Sequence, residues 1–430
     1  MTRDLQPVSA IAAGWTLSLL FLANVLNVGD RMLLGVVTEP VRRDLSLSDT
    51  QMALANGLLF VLFNLVAGLF IARLADRGNR VRILTVGIAL WSLATAATGL
   101  ARNFPELAMA RLAVGVGEAT AFPAVMSLIP DLFRPRVRGT AVGVFQAGSF
   151  VGIVGGTVLA GVVAAALGWR PMFFVCGVAG VVLATIVVLT VREPAREQAP
   201  DPEDTASWLT GLATGLRRLS AVPGLVPLAL GFGISAMMGP VLGAWGPAFL
   251  QRSHGVPLRE VGILIGPPVG IAGLVGTLVS GPIADRIARK RGSVSAMLRL
   301  PLVALPLSVP FMAGFIFAPT LLVAMLCAAG MNALLSCAFV PCINCAVARV
   351  GGGDRALVST VMLAASGLVG AALGPFVVGV LSDALTPQLG SDGLRYALSA
   401  MIASPLLATA FLFAAVRRAP GIPLAEAQPA

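Results

Sequence analysis

The sequence predicts an all-α integral membrane protein, twelve transmembrane helices in two pseudo-symmetric six-helix bundles, and three observations carry that prediction. The first is composition. Of 430 residues, 57% are hydrophobic and 12% charged, with a mean hydropathy of +0.90, whereas soluble domains are roughly 25% charged. The second is that apolar runs of about 20 residues, long enough to cross a hydrocarbon core some 30 Å thick, recur along the whole length. The third is an internal echo: Leu74-Ala75-Asp76-Arg77 returns as Ile283-Ala284-Asp285-Arg286, 209 residues later and again just after an apolar run. Lipid offers no partner for backbone N–H and C=O groups, so the runs must be helices.

Charged or Pro/Gly-rich breaks divide the chain into spans 13–38, 48–74, 81–101, 105–131, 138–167, 170–191, 222–250, 260–284, 294–317, 319–348, 355–382 and 394–416. The long polar break holding Glu193, Arg196, Glu197, Asp201, Glu203, Asp204, Arg217 and Arg218 separates two groups of six. The domains are therefore read as an N-terminal bundle 1–191, a cytoplasmic linker 192–221, and a C-terminal bundle 222–430 ending in a short tail. No basic segment with a short apolar run and a small-residue cleavage site opens the chain, so the first span is expected to be retained.

Orientation follows from the basic residues. With both termini cytoplasmic, 20 of the 30 fall on cytoplasmic segments and 7 on outer loops, leaving Arg31, Arg111 and Arg299 within spans. The positive-inside rule favours that arrangement, in a cell (inner) membrane. The net charge of +10 then lies mostly on loops facing an anionic leaflet, and no nucleic-acid partner is needed to explain it. The lipid bilayer is the partner expected, and one chain with twelve helices suffices as a monomer.

Besides Arg299 near the start of the ninth span, four charges sit inside apolar stretches: Asp30 and Arg31 in the first, Arg111 and Glu118 in the fourth. Each unpaired charge at membrane depth costs at least about 2.5–3.5 kcal/mol, so such residues mark ion or substrate pathways. Seven residues is nearly two turns, which places Arg111 and Glu118 on one face of a helix about 10 Å apart along its axis. A residue from another helix must bridge them, and Asp30 or Arg31 is the candidate. Asn24, Asn27 and Arg31 recur at spacings of three and four, a polar stripe on the first helix. Burial disfavours the charged form of a carboxylate and a neighbouring arginine favours it, so its protonation can depend on which side is open to water. The competing reading is a static buried ion pair holding helices together.

The loop Ala72-Arg73-Leu74-Ala75-Asp76-Arg77-Gly78-Asn79-Arg80 resembles the G-x-L-A-D-R-x-G-R motif of the major facilitator superfamily, departing from it at Ala72 and Asn79. That resemblance covers essentially the whole chain and implies the major facilitator fold, with first and fourth helices lining a central cavity and alternating access as the mode of work. It implies that Asp76 latches the halves in one conformation with Arg134 or Arg138 as partner, and that Arg77, Arg80, Asp285 and Arg286 share this cytoplasmic gate. Within the superfamily, several stretches are similar to the Spinster branch of lysolipid and sphingolipid transporters: Asn27-Val28-Gly29-Asp30-Arg31, Arg111 followed by Gly115, Gly117, Glu118 and Ala119, Asp131-Leu132-Phe133, Gly168-Trp169-Arg170 and Arg192-Glu193-Pro194. Sugar-acid symporters share some of these stretches. In the fifth span Gly148-x-x-x-Gly152-Ile153-Val154-Gly155-Gly156 resembles the element of drug antiporters, with Ile153 in place of its proline, and packing is its default reading.

From these pieces the expected function is proton-coupled secondary transport. Asp30 and Glu118 exchange the proton, and Arg31 or Arg111 contacts an anionic head group. One tyrosine, Tyr396, and sparse polar groups suit an amphipathic anionic or zwitterionic substrate such as a lysophospholipid better than a polyol. Asn27, Arg31, Arg111, Met237, Met238, Trp245, Asn332 and Ser336 are the candidate cavity residues. The alternatives are a symporter of small organic anions such as sugar acids, a multidrug efflux antiporter, and a ligand-sensing receptor that does not translocate. No catalytic residue, cofactor or metal is expected: His254 is the only histidine, and Cys342-Ile343-Asn344-Cys345 lies in an apolar helix. Gly351-Gly352-Gly353-Asp354-Arg355 follows no strand and reads as a turn.

Overall fold

The computed structural model describes residues 9–195 and 208–419, apart from the side chains of Asp76, Trp208 and Leu209. Arg3, Arg196, Glu197, Asp201, Glu203 and Asp204, and the ion pair expected of Asp76, lie outside what is described. Eleven helical stretches are long and apolar enough to span a membrane: Ala10–Val36, Asp49–Ala75, Arg80–Thr98, Phe104–Leu132, Pro135–Leu167, Trp169–Thr190, Leu225–His254, Leu258–Arg291, Val294–Phe317, Leu321–Val347 and Arg355–Arg418. The last has 64 residues, about 96 Å of straight helix. The chain breaks within it at Gly390, whose φ is +57°, so it holds an eleventh and a twelfth crossing. There is no strand among the described residues.

The first, fourth, seventh and tenth helices are interrupted, each near the residue four before a proline. Proline lacks an N–H and its ring crowds the carbonyl four residues back. Pro40, Pro123, Pro240 and Pro341 therefore act on residues 36, 119, 236 and 337. The helical segments end at Val36, Glu118, Ser235 and Ser336 and resume at Thr38, Ala121, Met238 and Phe339. The breaks leave freed backbone beside Glu118, beside Met237 and beside Ser336.

Contacts group the described residues into two compact units, 9–195 with Val256–Gly266, and 208–255 with 267–419. In the first, Gly148, Gly152 and Gly156 of the fifth helix press on Phe21, Val25 and Gly29 of the first, and Gly115 of the fourth presses on Phe60 of the second. The second repeats the scheme six helices on. Gly370 and Gly374 of the eleventh helix meet Ala236 and Met237 of the seventh, and Gly273 and Gly276 of the eighth meet Asn332 and Ala333 of the tenth. An asparagine ties each second pair: Asn64 Nδ2 donates to the Gly115 carbonyl at 2.9 Å, and Asn332 Nδ2 to the Val269 carbonyl at 2.6 Å.

These approaches leave no room for side chains. A methyl at Gly156 would lie 2.6 Å from Gly29 Cα, while one at Gly155 would meet nothing within 4 Å. Gly156→Ala is therefore expected to lower stability by about 1–3 kcal/mol through overpacking, and Gly155→Ala to leave it unchanged or raise it. Thermal unfolding of the two variants in the same detergent checks the contrast.

Candidate functional site

Helix rotation decides which of two adjacent charges meets Glu118. The glycine contacts bury Gly29 against the fifth helix, which sends Asp30 and Arg31 in different directions. Arg31 turns to the fourth helix, where its Nε donates to Glu118 Oε2 at 2.6 Å. Its Nη2 donates to Asn27 Oδ1 at 3.1 Å, so the polar stripe on the first helix orients the guanidinium. Asn27 Nδ2 lies 3.5 Å from the Glu118 carbonyl oxygen, a backbone acceptor next to the proline-induced break. A short charge-assisted pair of this kind is stronger than a neutral hydrogen bond. The Glu118 side chain is fully buried, whereas that of Arg31 keeps 39% exposure.

Asp30 turns the other way. It is 6% exposed and accepts a hydrogen bond from Thr95 Oγ1 of the third helix at 2.9 Å. Arg111 is wholly buried, and its Nε, Nη1 and Nη2 have no hydrogen-bond partner in the protein. Glu118 Oε1 is likewise without a partner. A buried, unmatched charged donor costs several kcal/mol, and partial compensation comes from an aromatic ring. The Cζ atoms of Arg31 and Arg111 stand 5.4 and 5.5 Å from the centroid of Phe60, within cation–π range. Phe60 is 5% exposed and follows a π-helical turn, Leu54–Leu58, in the second helix.

The four charges named from sequence thus fall in one buried region of the first unit. Arg31, rather than Asp30, pairs with Glu118, and Arg111 pairs with neither carboxylate by direct contact. Thr95 and Phe60 carried no signal in the sequence: a threonine or a phenylalanine in an apolar helix is commonplace. The candidates in the second unit are more occupied by packing. Met238 and Trp245 are each 1% exposed, Met237 is 8% exposed, and Trp245 Nε1 donates to the Pro375 carbonyl at 2.9 Å. Asn332 and Ser336 are half-buried.

At the candidate gate, Arg80 proves to be the hub. It is 1% exposed and forms ion pairs with Asp131 at the end of the fourth helix and with Glu193 after the sixth, the latter at 2.6 Å. Its remaining N–H groups reach the carbonyls of Ser127 at 2.8 Å and Pro194 at 2.9 Å. Glu193 also accepts from the Val81 amide at 2.9 Å. Arg138 donates to the carbonyls of Phe133 at 2.9 Å and Pro130 at 2.8 Å. Arg77, Arg134 and Arg286 are exposed and Asp285 is half-buried.

Comparison with known proteins bears on what such a cluster serves. Residues 20–375 match the model of the Major Facilitator Superfamily. An MFS-type efflux pump of Mycolicibacterium smegmatis (strain ATCC 700084 / mc(2)155) is 33% identical over 401 residues, covering 92% of this chain and 90% of that protein. A probable L-galactonate transporter of Escherichia coli (strain K12) is 32% identical over 291 residues, 63% of this chain and 61% of that protein. Among solved structures, a bacterial homologue of the human lysosomal transporter Spinster, in an inward-facing and unoccupied conformation, superposes with a TM-score of 0.86 at 28% identity. The match covers 96% of this chain and 98% of that one.

Proposed function

The chain belongs to the Major Facilitator Superfamily and is a multi-pass membrane transporter of small molecules, and from that premise we propose that it is a proton-coupled secondary transporter working by alternating access. The substrate class is an amphipathic anion or zwitterion such as a lysophospholipid. The observation that carries this reading is the division of labour within the buried charges. Arg111 keeps all of its N–H groups without a protein acceptor, while Glu118 and Asp30 are buried carboxylates, one held by Arg31 and one by Thr95 alone.

In this reading, Arg111 and the exposed edge of Arg31 receive the substrate's anionic group. Protonation of Glu118 releases Arg31, and protonation of Asp30 removes the second negative charge, so the number of fixed charges in the pathway changes with each proton taken up. A ligand shifts a conformational equilibrium only by its difference in affinity for the two states. Proton and substrate each supply such a difference here: the proton neutralises the carboxylate that holds Arg31, and the freed guanidinium takes the substrate's anionic group. The proposed setting is a cell (inner) membrane with both termini in the cytoplasm and a single chain as the working unit.

A second reading, symport of small organic anions, rests on the resemblance to the probable L-galactonate transporter. A free guanidinium suits a carboxylate as well as a phosphodiester. Competition binding separates the two: on the lipid reading, a lysophospholipid displaces a bound fluorescent lysolipid at concentrations where a hexuronate does not. The reverse order of potency contradicts it.

A further inference from the structure

The segment between the sixth and seventh spans, read from sequence as a polar linker, contains a 14-residue helix, Trp208–Ala221. Leu212, Leu216 and Leu219 recur at spacings of four and three, one stripe of an amphipathic helix, while Thr214 and Arg217 lie well away from that stripe and are exposed. The stripe is only partly used by the protein. Leu219 is 3% exposed, and Gly215 approaches Leu357 so closely that a methyl there would lie 2.5 Å from Leu357 Cδ2. Leu216, at the edge of the same stripe, is left 42% exposed.

This helix leads directly into a membrane span. Only Val222, Pro223 and Gly224 separate Ala221 from Leu225, the first residue of the seventh span. The Val222 amide bonds back to Leu219 and the Leu225 amide to Val222, both at 3.1 Å, and Gly224 takes φ +75°, so the connection is a tight turn. Even fully extended it would reach no more than about 14 Å. An interfacial helix sinks about 5–10 Å into the boundary between headgroups and acyl chains, so Leu216 is held within reach of that layer.

Charge completes the match. Arg218 pairs with Asp354 at 2.9 Å, and Arg349 Nη1 lies against Gly224. Among the described residues around the helix, Arg218 is the one that pairs with Asp354. Arg217 follows Leu216 about 100° around the helix axis and is exposed. We propose that Trp208–Ala221 is an interfacial membrane anchor, with Leu216 in the acyl boundary and Arg217 reading anionic lipid headgroups. A basic residue at such a surface is attracted by anionic lipid, and its stem can lie along the apolar layer.

The test uses the full chain with its five cysteines replaced by alanine and an environment-sensitive fluorophore attached through Leu216→Cys, in nanodiscs containing shallow nitroxide-labelled lipid. Quenching at 216 is expected at least twofold above that of the same label attached through Thr214→Cys. It is expected to rise at least twofold when phosphatidylglycerol replaces part of the phosphatidylcholine, and to lose that rise in Arg217→Gln. Native mass spectrometry of the unlabelled chain supplies a check free of the label, with wild type retaining more phosphatidylglycerol than Arg217→Gln. Quenching at 216 no greater than at 214, or equal in both lipids, overturns the proposal, as does equal lipid retention by wild type and Arg217→Gln.

Discussion

Glu118→Gln is expected to abolish pH-driven accumulation of substrate in liposomes while leaving substrate exchange across the same membrane. Glutamine matches the shape of the carboxyl group and its oxygen can still accept from Arg31 Nε, so the contact at 2.6 Å has a neutral substitute. What it cannot do is gain and lose a proton. Arg31 keeps 39% of its side chain exposed, so water can solvate the charge that loses its partner, and the protein should remain folded. Asp30→Asn is expected to act alike, because an amide oxygen can keep the 2.9 Å bond from Thr95. Wild-type accumulation by both variants would remove the carboxylates from the coupling step. A further contrast isolates the ion pair's structural part: a double Arg31→Met, Glu118→Met variant is expected to fold at least as well as either single change, since breaking one side of a buried pair costs more than replacing both.

Arg111→Leu is expected to move stability and binding in opposite directions. The arginine is fully buried with no hydrogen-bond partner for its guanidinium, so its removal relieves the cost of those unmade bonds and should raise the thermal midpoint. The same substitution removes the donors proposed to hold the substrate's anionic group. Losing one member of a buried, hydrogen-bonded charge pair costs roughly 2–5 kcal/mol, so affinity should fall about thirtyfold or more. Thermal unfolding and equilibrium binding on one preparation check both signs. Unchanged affinity, or a lower midpoint, would mean that Arg111 is a structural residue with partners of its own.

Much of the architecture was legible because the bilayer imposes it. The expected spans 13–38 and 294–317 meet helices Ala10–Val36 and Val294–Phe317, since hydrocarbon thickness sets length and charge sets the ends. The breaks in the first, fourth, seventh and tenth helices were present in the sequence as Pro40, Pro123, Pro240 and Pro341. Counting back four residues from a proline does not by itself give a break, since Pro267, Pro268 and Pro282 lie inside the unbroken helix Leu258–Arg291.

The candidate site was legible in its members and not in its pairing. Asp30 and Arg31 are adjacent, about 100° apart around the helix, and nothing local says which faces Glu118. That choice is made by Gly29 seating against Gly152 and Gly156, glycines read from sequence as packing alone. The Arg80 hub was obscured for a similar reason, because Asp131 and Glu193 lie 51 and 113 residues away from it. The helix at Trp208–Ala221 was hidden by its setting, since a charge-rich neighbourhood reads as linker even where leucines keep helical spacing.

Proton movement on addition of substrate, followed with a pH-sensitive dye trapped in proteoliposomes that start at equal pH on both sides, decides whether the buried charges of the first and fourth helices drive transport. The prediction is a lumenal pH change that tracks substrate entry in a fixed ratio and disappears in Asp30→Asn and in Glu118→Gln. Substrate that crosses the membrane in the wild type with no change in lumenal pH would contradict it.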